Sequence, residues 1–410
     1  MNLRKILGHL TAITGILGII YFLPNKIIFD LNYFIEEFMN SFIILLIMFI
    51  LAKIIGGSEH SIFYTLFGIF KPEICIEGKV DKKFEEIKNQ IKKIMQSGNE
   101  QGIQLVVYEK GQKVVDLVGI SDTYSYDFNT LQCVFDISQM INQIVVALMV
   151  QQGYIKYDDK ISKYWKEFGS NGKQDITLQQ LISHEAGLRI LNKQITDKNI
   201  TTKGIRENQV GRIIEITIPS SKDLGKQVYH HTSQGLILNE IVRRIDPKRR
   251  TIGEFLNQEI NPNLMRLGEF PSQNAHSNAQ GLADLAQIMS LKGKSGNFGI
   301  FEKNFYENIN QEIESTSLQK NFVNNRQYKL VKGGWNKYKI QYGNNKDSVN
   351  FYGQIGFGGS LVCWNSELQI GFAFVKNYIS VDQSAQSAFS ILQQCLQIIQ
   401  KENITHKKQI

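Results

Sequence analysis

The chain has 410 residues, of which 42% are hydrophobic and 20% charged, with a formal net charge of +8. It is long enough for more than one unit and apolar enough to bury a sizeable core; its basic residues are spread out, with no dense Lys/Arg run carrying interleaved aromatics, so no nucleic-acid partner is expected. The four cysteines, Cys75, Cys133, Cys363 and Cys395, form no Cys-x-x-Cys pair and have no histidine at ligand spacing, so neither a disulfide framework nor a metal site is expected, and no cofactor.

The first seventy residues differ in kind from the rest. Two apolar runs, 6–23 and 38–55, are each about 18 residues long, just enough to cross a hydrocarbon core as helices. Lys53, near the end of the second, can snorkel to the interface. Three readings compete for the first run: a cleaved signal peptide behind Arg4 and Lys5, an organelle-targeting segment free of acidic residues until Asp30, or half of a retained transmembrane hairpin. The hairpin is adopted, because no small-residue cleavage site follows and a second apolar run comes soon after. Arg4 and Lys5 then place the N-terminus and the large domain on the cytoplasmic or matrix side. Residues 61–70 are expected to lie along the interface. The domain reading is a membrane-anchoring segment over 1–75 and a folded domain over 76–410.

From Gly78 onward the sequence reads as a folded domain. Phe84, Ile87, Ile91 and Ile94 recur at helical spacing over 81–95. Two strand-like runs, 104–108 and 113–118, flank Lys110-Gly111-Gln112 as a hairpin. A helix-rich lobe is expected over about 135–293, strands return at 359–364 and 370–375 around Asn365-Ser366-Glu367, and a last helix covers about 382–400. The fold class is α+β: an antiparallel sheet flanked by helices, with an α-helical lobe beside it.

Several stretches resemble the serine β-lactamase-like family, which includes class C β-lactamases, D-alanyl-D-alanine carboxypeptidases and related esterases. The longest is 157–188, ending in His184-Glu185-Ala186-Gly187-Leu188. The others are Val114-Val115-Asp116-Leu117, Thr130-Leu131-Gln132, Tyr229-His230 with Gly235, and Gly358-Gly359-Ser360, all in family order over about 78–377. The resemblance implies a serine at the start of a buried helix, a lysine one turn later as its base, a relay tyrosine from the helical lobe, and a Lys- or His-x-Gly strand opposite.

Fixing the helix register from its flanks, Thr130-Leu131-Gln132 and Gln151-Gln152-Gly153, puts Asp136 at the serine position and Gln139 at the lysine position. Slipping the register to use Ser138 would put Ile141 at the base position. No Lys or Arg occurs between Lys113 and Lys156, so no register supplies that base. Gln354 stands where the strand is expected to carry His or Lys. Asp136-Ile137-Ser138-Gln139 reads as a capping box, with Asp136 as N-cap and Gln139 at N3. Tyr229 reads as the retained tyrosine and His184 as a structural histidine; the adjacent His230 and His231 do not read as metal ligands.

These residues, Asp136, Ser138, Gln139, Tyr229 and Gln354, are expected to line a relict pocket with no catalytic residue. The function expected is that of a non-catalytic, membrane-anchored accessory subunit of a membrane protein complex, with the respiratory chain of the mitochondrial inner membrane as its setting. Its expected partners are membrane lipid and the other subunits, with no small-molecule substrate. The alternatives are a rewired serine hydrolase, an esterase or peptidase using Ser138 or Asp136 with Tyr229, and a sensor that binds carboxylate ligands.

Overall fold

The structure is a computed structural model. It describes residues 73–407 except 98–99, 122–124, 260–264, 268–270, 297, 314–318, 321–326, 344–346 and 380–384, and before residue 73 only 35–40, 42–43 and 46, which are helical. The chain divides into two compact units, Met1–Pro72 and Glu73–Ile410.

The second unit is built on strands whose side chains alternate between two cores, as the pleat requires. In β2 (Gly102–Glu109) Val106 joins one apolar cluster while Leu105 and Val107 join the other. β2 pairs antiparallel with β3 (Gln112–Ser121), which pairs with β1 (Ile74–Val80) at the sheet edge. The remaining strands of this sheet are β4 (Gln319–Lys320), β5 (Gln327–Leu330), β6 (Asn336–Tyr342), β7 (Asp347–Ile355), β8 (Leu361–Asn365) and β9 (Ile370–Lys376). The sheet order is β1-β3-β2-β9-β8-β7-β6-β5-β4, with every pairing antiparallel.

One sheet face carries the terminal helices α1 (Glu85–Ser97) and α5 (Gln386–Lys407), whose Ile87, Ile91, Phe389, Leu392 and Leu396, with Phe84 in the turn that leads into α1, pack with Leu105, Phe372 and Phe374. The other face carries the helical lobe: α2 (Ile137–Gln151), α3 (Ser233–Ile245) and α4 (Ala279–Ser290) share a cluster with Val106, Val362, Trp364 and Ala373. α2 is buried along nearly its whole length, from Ile137 to Met149. It is buried on all sides because it lies at the centre of the lobe, and its polar Gln139 and Asn142 are bonded to the His231 and Pro271 carbonyls.

The α+β class, the antiparallel sheet, the helix over 81–95, the β2–β3 hairpin and the last helix agree with the sequence reading. Strands β5 and β6 were not anticipated. Their signal is an alternation, Tyr338 and Ile340 buried with Lys339 exposed between them, masked by a Lys/Asn/Gln-rich composition that reads as loop. The transmembrane hairpin requires correction. Most of the runs 6–23 and 38–55 lies outside the described residues, and among the described residues no helix is long and apolar enough to cross a membrane. Even α5, with 22 residues, interleaves Gln393, Gln394, Gln397, Gln400 and Lys401 with its apolar positions.

Candidate active site

The site is assembled where α2 begins. The chain enters on Phe135, whose backbone is left-handed at φ 48°, a conformation that costs a non-glycine residue about 1 kcal/mol or more. The turn places Asp136 immediately before α2, 3% exposed. Its backbone is already helical (φ −63°, ψ −15°) and its side chain makes no capping hydrogen bond. The capping-box expectation is therefore corrected: an N-cap needs extended backbone to turn its side chain over the first helical amides, and here the carboxylate points away from them. A true capping box does occur, at Thr177 and Gln180.

The Asp136 carboxylate is instead gathered by donors from two other parts of the chain. Oδ1 accepts from the Tyr229 hydroxyl at 3.0 Å and lies 3.2 Å from His231 Nδ1, both on the segment before α3. Oδ2 accepts from the Phe357 N–H at 3.2 Å, in the turn between β7 and β8. That turn depends on glycine. A side chain at Gly356 would meet the Val134 carbonyl oxygen at 2.5 Å, and Gly358 has φ 91°. Without Gly356 the turn could not lie against the entry to α2, and the Phe357 N–H would not reach Asp136. The rings of Phe135 and Phe357 meet edge to face, 5.6 Å apart, across this junction.

His231 is held from both ends. Gln139, 1% exposed, donates from Nε2 to the His231 carbonyl at 2.8 Å. The Gln273 amide contacts His231 Nε2. Gln273 follows Ser272, whose Oγ accepts from the Gly235 N–H at 3.0 Å and donates to the Thr232 carbonyl. The imidazole thus sits between Asp136 and Gln273 with 42% of its side chain exposed. Its hydrogen bond to Asp136 raises its pKa above the ordinary 6.5. Burial, and next the Asp136 charge, push the Tyr229 phenol well above 10. At neutral pH Tyr229 is a neutral donor rather than a base.

Of the residues singled out from the sequence, the structure brings Asp136 and Tyr229 together and joins Gln139 to them through His231. Ser138 and Gln354 are placed elsewhere. Ser138 is fully buried and its Oγ accepts from the Ala275 N–H at 3.0 Å. Gln354 accepts from Asn336 Nδ2 at 2.9 Å, tying β7 to β6. His231 and the Phe357 N–H were missed. In the sequence His231 stands only two residues after Tyr229, with no pattern of its own that marks it as part of the site.

His230 and His184 form the inner wall. His230 Nε2 accepts from the Leu188 N–H at 2.9 Å and Nδ1 contacts the Val228 carbonyl at 2.6 Å, an arrangement that requires neutral imidazole. His184 Nδ1 accepts from the His230 N–H at 3.1 Å. Burial pushes His230 down to about 4 and holds His184 well below 6.5. A folded pKa below the unfolded one means that the folded state binds fewer protons, so stability is lost as pH falls from about 6.5 toward 4. For His230, at roughly 1.4 kcal/mol per pH unit, the loss is on the order of 3 kcal/mol. The urea midpoint is expected to fall over this window and to fall less steeply in His230→Gln. Equal slopes in the two proteins would remove His230 from the account.

The Beta-lactamase family model matches residues 87–389 of the chain. The esterase/beta-lactamase LipL of Mycobacterium tuberculosis is 26% identical over 151 residues, which cover 36% of this chain and 34% of that protein; the match spans about a third of the curated relative. Among solved structures, a family VIII carboxylesterase superposes with a TM-score of 0.65 at 18% identity, covering 77% of this chain and 100% of that one. A penicillin-binding protein homolog from Caulobacter crescentus gives 0.63 at 19% identity, covering 77% of this chain and 100% of that one.

These likenesses overturn the expectation of a non-catalytic accessory subunit. The proteins to which the chain is similar are named for esterase, β-lactamase and penicillin-binding activities. Neither they nor the fold supports a respiratory-chain or mitochondrial inner-membrane setting, and an integral-membrane location lacks a spanning helix among the described residues. Reading Asp136 and Gln139 as proof of lost catalysis assumed that only a Ser/Lys pair could act here. The cluster around Asp136 supplies other acid–base groups.

Proposed function

Because the chain belongs to the beta-lactamase family, we propose that it is a hydrolase of carboxylic esters whose reacting group is the His231–Asp136 pair. The observation that carries this reading is the division of labour on the Asp136 carboxylate: Oδ1 holds Tyr229 and His231, while Oδ2 accepts from the Phe357 N–H. A carboxylate on Nδ1 orients the imidazole, keeps its proton on that side and raises its basicity at Nε2. A water that takes the place of the Gln273 amide at Nε2 can then be deprotonated as it attacks the ester carbonyl. The proton passes to Nε2, the carbonyl oxygen becomes an oxyanion, the C–O bond to the alcohol breaks, and Nε2 returns the proton to the leaving alkoxide. The products are the carboxylic acid and the alcohol.

An ester carbonyl that displaces Oδ2 from the Phe357 N–H leaves the His231–Asp136 contact intact. That backbone donor then meets the developing oxyanion. Tyr229, a neutral donor, holds the Asp136 side chain in place. Esters are preferred over amides as the substrate class because the alcohol is the better leaving group for a water-activating pair, and because the relatives include proteins named as esterases. In this reading Ser138, buried against Ala275, takes no part in the alternative assigned to it from sequence.

The test is steady-state hydrolysis of short-chain p-nitrophenyl esters by the purified full chain. Saturable turnover roughly tenfold or more above an equal mass of serum albumin is the expected result, within the ordinary gain of general-base catalysis. A rate no different from albumin would count against the proposal.

A further inference from the structure

Among the described residues of the second unit, four of the eight large apolar or aromatic side chains that stand exposed lie on two neighbouring segments, one after Leu188 and one at and beyond the end of the helix Gln209–Ile216: Ile190 (71%), Ile216 (44%), Ile218 (62%) and Leu224 (41%). The segments are tied together. The Asn192 N–H donates to Thr217 Oγ1 at 3.2 Å, the Ser220 N–H to the Gly187 carbonyl at 2.8 Å, and the Leu224 N–H to the Ser220 carbonyl at 2.9 Å. Arg189 also lies 3.7 Å from Asp223 across them. Residues that fold into separate places can each show an exposed leucine without meaning. Here the segments that carry them are bonded to one another, and exposed apolar side chains grouped in this way mark an interaction site.

The charge on the same segments says what covers it. Residues 189–193 and 216–226 carry Arg189, Lys193, Lys222 and Lys226, all exposed, against a single acidic residue, Asp223. Apolar side chains ringed by cations match the boundary between acyl chains and anionic headgroups: the aliphatic groups enter the apolar layer while the ammonium groups stay at phosphate depth. We propose that this surface docks the folded unit on an anionic lipid bilayer, as a peripheral contact made by loops rather than by a spanning helix. The inference uses no part of the hydrolase reading. The surface does border that site, since the Leu188 N–H bonds to His230 and the Val228 N–H to the His184 carbonyl.

The native tryptophans Trp165, Trp335 and Trp364 are at most 1% exposed, so a tryptophan placed at the surface reports alone. In the full chain, Ile218→Trp is mixed with phosphatidylcholine vesicles containing about 30% phosphatidylserine and brominated acyl chains. Its added emission is expected to shift to the blue and to lose about a third or more of its intensity to bromine. The quench should vanish in Lys222→Glu/Lys226→Glu and in vesicles without phosphatidylserine. Tyr154→Trp, exposed on another part of the domain, should remain unquenched in every mixture. Quenching at 154 equal to that at 218, no quenching at 218, or equal quenching without phosphatidylserine would each overturn the proposal. So would a blue shift at 218 that needs no lipid and grows with protein concentration, which would mark a protein–protein surface instead.

Discussion

Replacing His231 with alanine is expected to lower kcat/KM for p-nitrophenyl esters about a hundredfold or more, the usual contribution of a positioned general base. The imidazole has 42% of its side chain exposed against 5% for Asp136, so it is the acid–base group of the pair that faces an incoming water and substrate. Its pH dependence is specific. The hydrogen bond to Asp136 raises the His231 pKa above 6.5, and only the neutral form accepts a proton at Nε2. Activity should therefore rise with pH through a midpoint above 6.5, and Asp136→Asn should move that midpoint down. A variant lacking His231 that keeps the wild-type rate, or a midpoint indifferent to Asp136, would place the chemistry elsewhere.

The second large effect is on stability. Asp136→Ala is expected to cost about 3 kcal/mol, because it leaves the Tyr229 hydroxyl, the Phe357 N–H and the His231 Nδ1–H facing a space without an acceptor. Each orphaned group costs on the order of 1–3 kcal/mol, and release of a buried carboxylate offsets part of the sum. Asp136→Asn is expected to be nearly as damaging, since its amide NH2 would face donors. This separates the cluster from the capping role. An N-cap accepts Asn or Ser readily and is worth about 1 kcal/mol. Urea titration of Asp136→Ala, Asp136→Asn and Asp136→Ser decides it: tolerance of Asn and Ser would restore the cap, whereas a loss in all three supports the cluster.

The contrast between these two roles shows what the sequence could carry. Local signals were legible. The 3.6-residue spacing of Phe84, Ile87 and Ile91 led to a helix on the sheet, and the alternation around Lys110-Gly111 led to a hairpin. Asp136, Gln139 and Tyr229 could be placed near one another because motifs in family order fix which elements converge. What the chain pattern could not carry was side-chain direction at the helix entry. Whether Asp136 turns over its own helix or away from it depends on the left-handed Phe135 and on a donor at Phe357, 221 positions away in sequence. The burial of Ser138 against Ala275 depends likewise on a pairing of distant chain, Val134 with Ala275. The role of Gln354 was misread for a related reason. A polar side chain on an inner strand can face a pocket or a neighbouring strand, and its bond to Asn336 is visible only once β6 is known to lie beside β7.

The central claim is that water activated by His231 and Asp136, with no covalent step, hydrolyses the ester. The most direct measurement is the intact mass of the full chain, quenched during steady turnover of p-nitrophenyl butyrate. The account predicts release of p-nitrophenol without an initial burst and a protein mass that stays unmodified throughout. A butyryl adduct that accumulates on the protein and disappears in Ser138→Ala would contradict it, and so would the absence of any turnover to quench.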